Sequence, residues 1–224
     1  MNKKLARIVK IQSLTKRTPM IKRITSSFIT AAFSLLFLSA CSEHSEAMKV
    51  LPNELAIADD CKNTNKKFEV DCYDLISYKN SFAQLRLGLN AQLNSNYQEA
   101  FQRYMIAKQK GNFYVNSLLA ELYNNGLGVE RNQDTVIKLL EETKDVDPIA
   151  AYKLAFHYLA NDDSKKAIKL FTYAAQNNVK EAQYELSRIY SNVDVTDTDL
   201  EQSIYWNDLY EDKSDNFIKR IYGN

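Results

Sequence analysis

Leu118-Leu119-Ala120-Glu121-Leu122-Tyr123-Asn124-Asn125-Gly126-Leu127-Gly128-Val129 is the stretch that decides the fold. Its apolar residues follow a helical period, and Gly126 ends that helix by accepting a positive φ. A second helical run follows, with Val136, Leu140 and Thr143 on one face. The same pattern returns three times. Leu87-Gly88-Leu89-Asn90-Ala91 precedes Ala100, Tyr104 and Ala107; Leu154-Ala155-Phe156-His157-Tyr158 precedes Ala167, Phe171 and Ala174. Leu186-Ser187-Arg188-Ile189-Tyr190 precedes Ser203, Asn207 and Tyr210. Steps of 32, 35 and 32 residues separate the four starts.

That period is the spacing of a helix-turn-helix repeat. Small residues at Gly88, Ala120, Ala155 and Ser187 let the paired helices approach. Tyr123, Tyr158, Phe171 and Tyr190 are expected to fill the space between neighbouring pairs. One pair cannot bury its apolar face alone, so the pairs must stack. From the repeat Leu to the first residue of the second run is 13 residues in the first and third copies, and 17 in the second and fourth. Few glycines and prolines and many Tyr, Leu and Ala also favour helices.

Over residues 80 to 222 the chain resembles the tetratricopeptide repeat, and more closely its Sel-one-like variant. Leu119-Ala120-x-Leu122-Tyr123-x-x-Gly126-x-Gly128-Val129 carries the likeness, with the four-residue longer turn of that variant. Ala182 to Tyr190 is a weaker match, with Ser191-Asn192-Val193-Asp194 in place of the glycines. The copies at 87 and 154 look like plain tetratricopeptide repeats. The resemblance implies an all-α, right-handed solenoid of stacked antiparallel helix pairs. Its first helices would line a concave face presenting Phe82, Gln92, Tyr114, Glu121, Asn124, Tyr152, Phe156, Leu159, Tyr184 and Arg188. Aromatic residues in the middle of such a face suit a protein hot spot; equally, an aromatic stripe at helical spacing can be packing, above all at Tyr152 and Phe156.

No catalytic set stands out. Gly126 and Gly128 lack the third glycine and the preceding strand of a phosphate-binding loop. His157 is the one histidine of the repeats and reads as a structural or edge residue. Glu141-Glu142 reads as a solvated helix face, and Asp162-Asp163 as a loop or helix N-cap. No cofactor, metal or small-molecule substrate is expected.

The N-terminus has another job. Residues 1–24 carry eight basic and no acidic residues, and an apolar run follows from Phe28 to Leu38. This is the order of a secretory signal, and the run is short for a membrane span of about 20 residues. Leu38-Ser39-Ala40-Cys41 resembles the lipobox of bacterial lipoproteins. The resemblance implies removal of residues 1–40 and a lipid on Cys41. Ser42 after it implies the outer membrane, at its periplasmic face. An uncleaved anchor with an incidental cysteine is the competing reading. Met20-Ile21-Lys22-Arg23 offers an alternative start.

The whole chain is +1, but without residues 1–40 it holds 21 basic and 28 acidic residues, a net −7. An acidic domain argues against nucleic acid as partner. Cys61 and Cys72 remain; an oxidising compartment favours a disulfide between them over a metal pair. Residues 41–74 read as a flexible, lipidated tether around that loop, and 75–224 as the repeat domain. Residues 191–215 hold eight acidic residues against Lys213, which either keeps the terminal repeat soluble or faces a basic partner. The expectation is a membrane-anchored protein-binding module. It would act as an envelope scaffold or adaptor, or as an immunity protein that blocks a secreted toxic effector enzyme.

Overall fold

The computed structural model describes residues 44–192, 199–212 and 214–223. It divides into a unit of residues Met1–Ser45 and a unit of residues Glu46–Asn224. The signal segment and Cys41 lie outside the described residues. Among the described residues every regular element is helical, and no helix is long and apolar enough to cross a membrane.

Helix α1 runs from residue 44 to 59, and α2 spans Lys66–Ile76. Four antiparallel pairs follow: α3 (Ser81–Leu93) with α4 (Tyr97–Gln109), α5 (Val115–Asn125) with α6 (Gln133–Thr143), α7 (Pro148–Ala160) with α8 (Ser164–Gln176), and α9 (Lys180–Tyr190) with α10 (Leu200–Glu211). A short α11, Phe217–Tyr222, ends the fold. The second helix of each of the first three pairs packs on the first helix of the next, so the array is a solenoid. The copies read from the sequence are these pairs.

Asparagine and aspartate place most of the boundaries. Asn80, Asn96, Asn132, Asp163 and Asp199 each accept a hydrogen bond from a first-turn amide of α3, α4, α6, α8 and α10. Such a cap contributes about 1 kcal/mol. The short turns of the first and third pairs close through left-handed Ser95 and Asp162. In the second pair, left-handed Gly126 ends α5, and the Leu127 amide donates to the Leu122 carbonyl at 3.0 Å. Gly128 is also left-handed, and a Cβ there would sit 2.6 Å from the Tyr97 backbone. The longer turn therefore packs on the N-terminus of α4.

The core differs from the expected one in which aromatics carry it. Tyr104 and Phe171, inside their own pairs, are fully buried. The Tyr104 ring lies across Gly88, where any side chain would meet it. Tyr123, Tyr158 and Tyr190 are only half-buried. The Tyr158 hydroxyl donates to Glu141 of the preceding pair at 2.6 Å. Glu141 and Glu142 are not a merely solvated face. They link repeats, Glu142 through Lys108 at 2.9 Å.

Of the stretch expected as a tether, residues 41–74, the described part from residue 44 onward is largely folded. Leu51 and Ala58 of α1 are buried, with Ala47 and Leu55 packed beside them. The Asn80 side-chain amide donates to the Glu54 carbonyl at 2.8 Å, and the Ser81 amide donates to the Glu54 carboxylate at 2.8 Å. What remains for a tether is the segment before residue 44, outside the described residues. Cys61 follows α1 and Cys72 lies in α2; their Cα atoms are 5.6 Å apart and the sulfurs face each other at bonding distance. Replacing either with serine is expected to cost about 3 kcal/mol by releasing the closed loop in the unfolded chain. Urea melts with and without reductant check this: the wild type should shift on reduction and the serine variants should not.

Candidate functional site

The first helices α3, α5 and α7 together line one side of the solenoid. The residue two places after each repeat Leu gives a stripe along it: Leu89, Glu121, Phe156 and Arg188. This groove is not uniformly open, because α11 folds back into its first half.

Asn216 caps α11, accepting from the Lys219 amide at 3.1 Å. The Phe217 amide donates to the Asn178 carbonyl at 2.9 Å, in the turn before α9. Phe217, Ile221 and Tyr222 are buried. The Tyr222 hydroxyl donates to the Tyr114 carbonyl at 3.1 Å, and the Phe217 ring stands 6.0 Å from the Tyr114 ring. Tyr114 is therefore covered, by α11 on one side and by Phe82 and Phe113 at 5.9 and 4.4 Å. Burial pushes its hydroxyl up to about 12. Phe82 is fully buried and belongs to the core. Phe82 presents no free surface, and Tyr114 is half-buried.

Beside α11 a cavity of about 300 Å³ remains, lined by Leu89, Gln92, Leu118, Glu121, Tyr152 and Tyr222, among others. Its polar groups are chained together. The Tyr104 hydroxyl donates to Gln92 Oε1 at 2.8 Å, Gln92 Nε2 to Glu121 Oε1 at 3.2 Å, and Lys153 Nζ to Glu121 Oε2 at 2.9 Å. The chain crosses three repeats and fixes Glu121 as an acceptor at the cavity wall. Each donor has an acceptor, so the chain holds these side chains in place.

Past α11 the groove opens. Phe156 is 40% and Tyr184 43% exposed. Tyr152 is half-buried, 5.2 Å from Phe156 and 5.9 Å from Phe171. It serves packing as well as surface, and burial pushes its hydroxyl up to about 12. The Arg188 guanidinium lies 5.8 Å over the Tyr184 ring and pairs with Glu185 at 3.1 Å. Asn124 is exposed at the end of α5, and Leu159 is half-buried. The structure thus gathers Glu121 and Tyr152 at the cavity, leaves Phe156, Tyr184 and Arg188 open, and sets Asn124 at the rim. His157 is half-buried beside the Tyr158 ring at 5.5 Å. Among the described residues no group of three or more His, Cys, Asp or Glu could hold a metal.

Two residues escaped the sequence reading. Arg86 is buried, donates to Asp59 of α1 at 3.3 Å, and reaches the Arg220 carbonyl of α11 at 3.5 Å. Asp147 is fully buried as the N-cap of α7, where Ser117 donates to it at 2.8 Å. A charged residue in an apolar run was the available signal for Arg86. Asp-Pro at a helix start was the signal for Asp147, though nothing in it foretold burial.

No family model matches the chain, and no curated protein matches it. Solved structures do share its fold. A Sel1 repeat protein from Oxalobacter formigenes superposes with a TM-score of 0.57 at 22% identity, over 63% of this chain and 62% of that one. A protective antigen present in uropathogenic Escherichia coli strains, displaying an SLR fold, gives 0.58 at 23% identity, over 77% of this chain and 40% of that one. The chain spans less than two thirds of either. The likeness is one of fold: an all-α solenoid of the Sel1-repeat kind.

Proposed function

We propose that this Sel1-type solenoid is a protein-binding module that uses the open half of its groove. The observation that supports this is the exposure of Phe156 and Tyr184, with Arg188 over the Tyr184 ring, where α11 does not reach. Tyrosine and arginine beside an aromatic partner are the residue types that anchor protein interfaces.

The test takes the partner recovered from envelope extract by affinity purification. Tyr184→Ala with Arg188→Ala should weaken its binding by at least about tenfold, about 1.4 kcal/mol. Arg188 is largely exposed and Tyr184 is 43% exposed, so melting should stay close to wild type. Unchanged binding would remove the groove from consideration.

The same proposal holds the module at a membrane through a lipid on Cys41, at the periplasmic face of the outer membrane, with Cys61 and Cys72 joined. Its support is the order of charge, apolar run and Leu38-Ser39-Ala40-Cys41 in the sequence. Mass spectrometry of membrane-extracted protein should find an acylated peptide beginning at Cys41. Cys41→Ala should leave an unprocessed or soluble form; an intact residue 1–40 segment on the extracted wild type would refute the anchor.

A further inference from the structure

We infer that the open face of α10 is a second docking surface, separate from the groove, and that its occupant is a basic amphipathic helix of a partner protein. One residue after the aligned small or branched position of each second helix stand Phe101, Ile137, Ile168 and Ile204. The first three are half-buried and pack against the core, where the next repeat lies over them. Phe101, for instance, meets the Tyr123 ring of α5 edge-on at 5.8 Å. Ile204 holds the same position and is 61% exposed.

The positions four and seven residues further on behave in the same way. In α6 the first of these is Glu141, which accepts from Tyr158 of α7 at 2.6 Å. In α4 the second is Lys108, which donates to Asn116 of α5 at 2.9 Å. In α8 it is Ala175, whose carbonyl accepts from Gln183 of α9 at 3.0 Å. In α10 these two positions are Asp208 and Glu211, both exposed. Among the described residues nothing covers the stacking face of the last repeat. Leu200, at 65%, and Tyr205, at 52%, extend its apolar part, while Trp206 points inward and anchors the helix.

Charge selects the occupant. Residues 199–212 carry Asp199, Glu201, Asp208, Glu211 and Asp212 and no basic residue. A second copy packed face to face would oppose Asp208 and Glu211 with the same carboxylates, which is repulsive. The chain's own α11 is engaged in the groove. A helix with an apolar stripe flanked by Lys or Arg would cover Leu200 and Ile204 and pair with Asp208 and Glu211, taking the place of the next repeat's first helix.

The probe is a fluorescent synthetic helical peptide with leucines at one-turn spacing flanked by lysines, titrated into the full chain by anisotropy. A scrambled peptide of the same composition and a version with glutamates for lysines are the controls. The lysine peptide should bind at least about tenfold tighter than either control and should weaken as salt is added. Ile204→Asp should reduce that binding about tenfold, and Asp208→Lys with Glu211→Lys should make the glutamate peptide the preferred one. Circular-dichroism melts of both variants should match wild type, since every altered side chain is exposed. Binding equal to the scrambled control, or unaffected by Ile204→Asp, overturns the proposal. So does a wild-type dimer that Ile204→Asp dissociates, which would make the occupant a second copy. The groove variant Tyr184→Ala with Arg188→Ala should bind the peptide as wild type does; loss there would place the peptide in the groove instead.

Discussion

Tyr104→Ala should lower the free energy of unfolding by about 3–5 kcal/mol, the cost of removing a large buried aromatic and leaving its cavity. The ring is fully buried and lies across Gly88. Its hydroxyl starts the chain that runs through Gln92 and Glu121 to Lys153. Truncation removes the ring contacts and a buried hydrogen bond together. Phe171→Ala belongs to the same class, since that ring is also fully buried. Tyr158→Ala should cost about 1 kcal/mol, because its ring is half-exposed and its main polar tie is to the partly exposed Glu141. Urea denaturation of the three variants decides the matter. Equal losses at Tyr104 and Tyr158 would mean that the core lies between repeats rather than within pairs.

Stability should fall as the pH rises from about 4 to about 7, and Asp147 should account for about 4 kcal/mol of the fall. Burial raises its carboxyl from 3.8 to about 7, against the lowering effect of hydrogen bonds from Ser117 and the Ile149 amide and of the nearby Lys153. In the unfolded chain the group ionises at its ordinary value. Between the two values the folded protein therefore holds a proton that the unfolded chain has released. The stabilisation is full below about 4, declines through the window, and is gone above about 7. Glu69 and Glu141 act in the opposite sense, because their carboxyls are lowered in the fold. The comparison that isolates Asp147 is wild type against Asp147→Asn, melted in urea at pH 4.5 and 7.5. The variant can keep both hydrogen-bond partners but has no proton to release, so it should gain stability relative to wild type as the pH rises. A constant difference would assign the slope to other groups.

The repeats were legible in the sequence because their period is written in residues that cannot be exchanged cheaply. Gly88 must pass under a tyrosine ring, and Gly126 must turn left-handed. The ends were less legible. In α1 the positions Ala47, Leu51, Leu55 and Ala58 carry a helical period, but the polar stretch from Ser42 to Glu46 and the charged, Asn-rich stretch from Asp59 to Lys67 suggested an unfolded segment. The Asn and Asp residues that looked like loop composition turn out to be caps. In α11, Phe217, Ile218, Ile221 and Tyr222 are amphipathic, yet six residues form no stable helix alone. It exists because the groove receives it. Of the face implied by the family resemblance, Phe156, Tyr184 and Arg188 are exposed. The resemblance could not show that Tyr114 is covered, since that depends on a segment more than a hundred residues away.

That return of α11 also changes how the array should melt. In an open row of repeats each unit touches only its neighbours, so the row can fray from either end and unfold in stages. Here the Tyr222 hydroxyl bonds to a carbonyl 108 positions earlier, and Arg86 reaches a carbonyl 134 positions later. The Phe217 amide is held at the threshold of the last repeat. First and last repeats are thus tied by one clasp, and opening either end forfeits contacts at the other. The expected behaviour is a single cooperative transition, with coincident tyrosine and helix signals, in place of sequential fraying. The same long-range closure must be reached before it is rewarded, so folding should be slow for an all-helical chain.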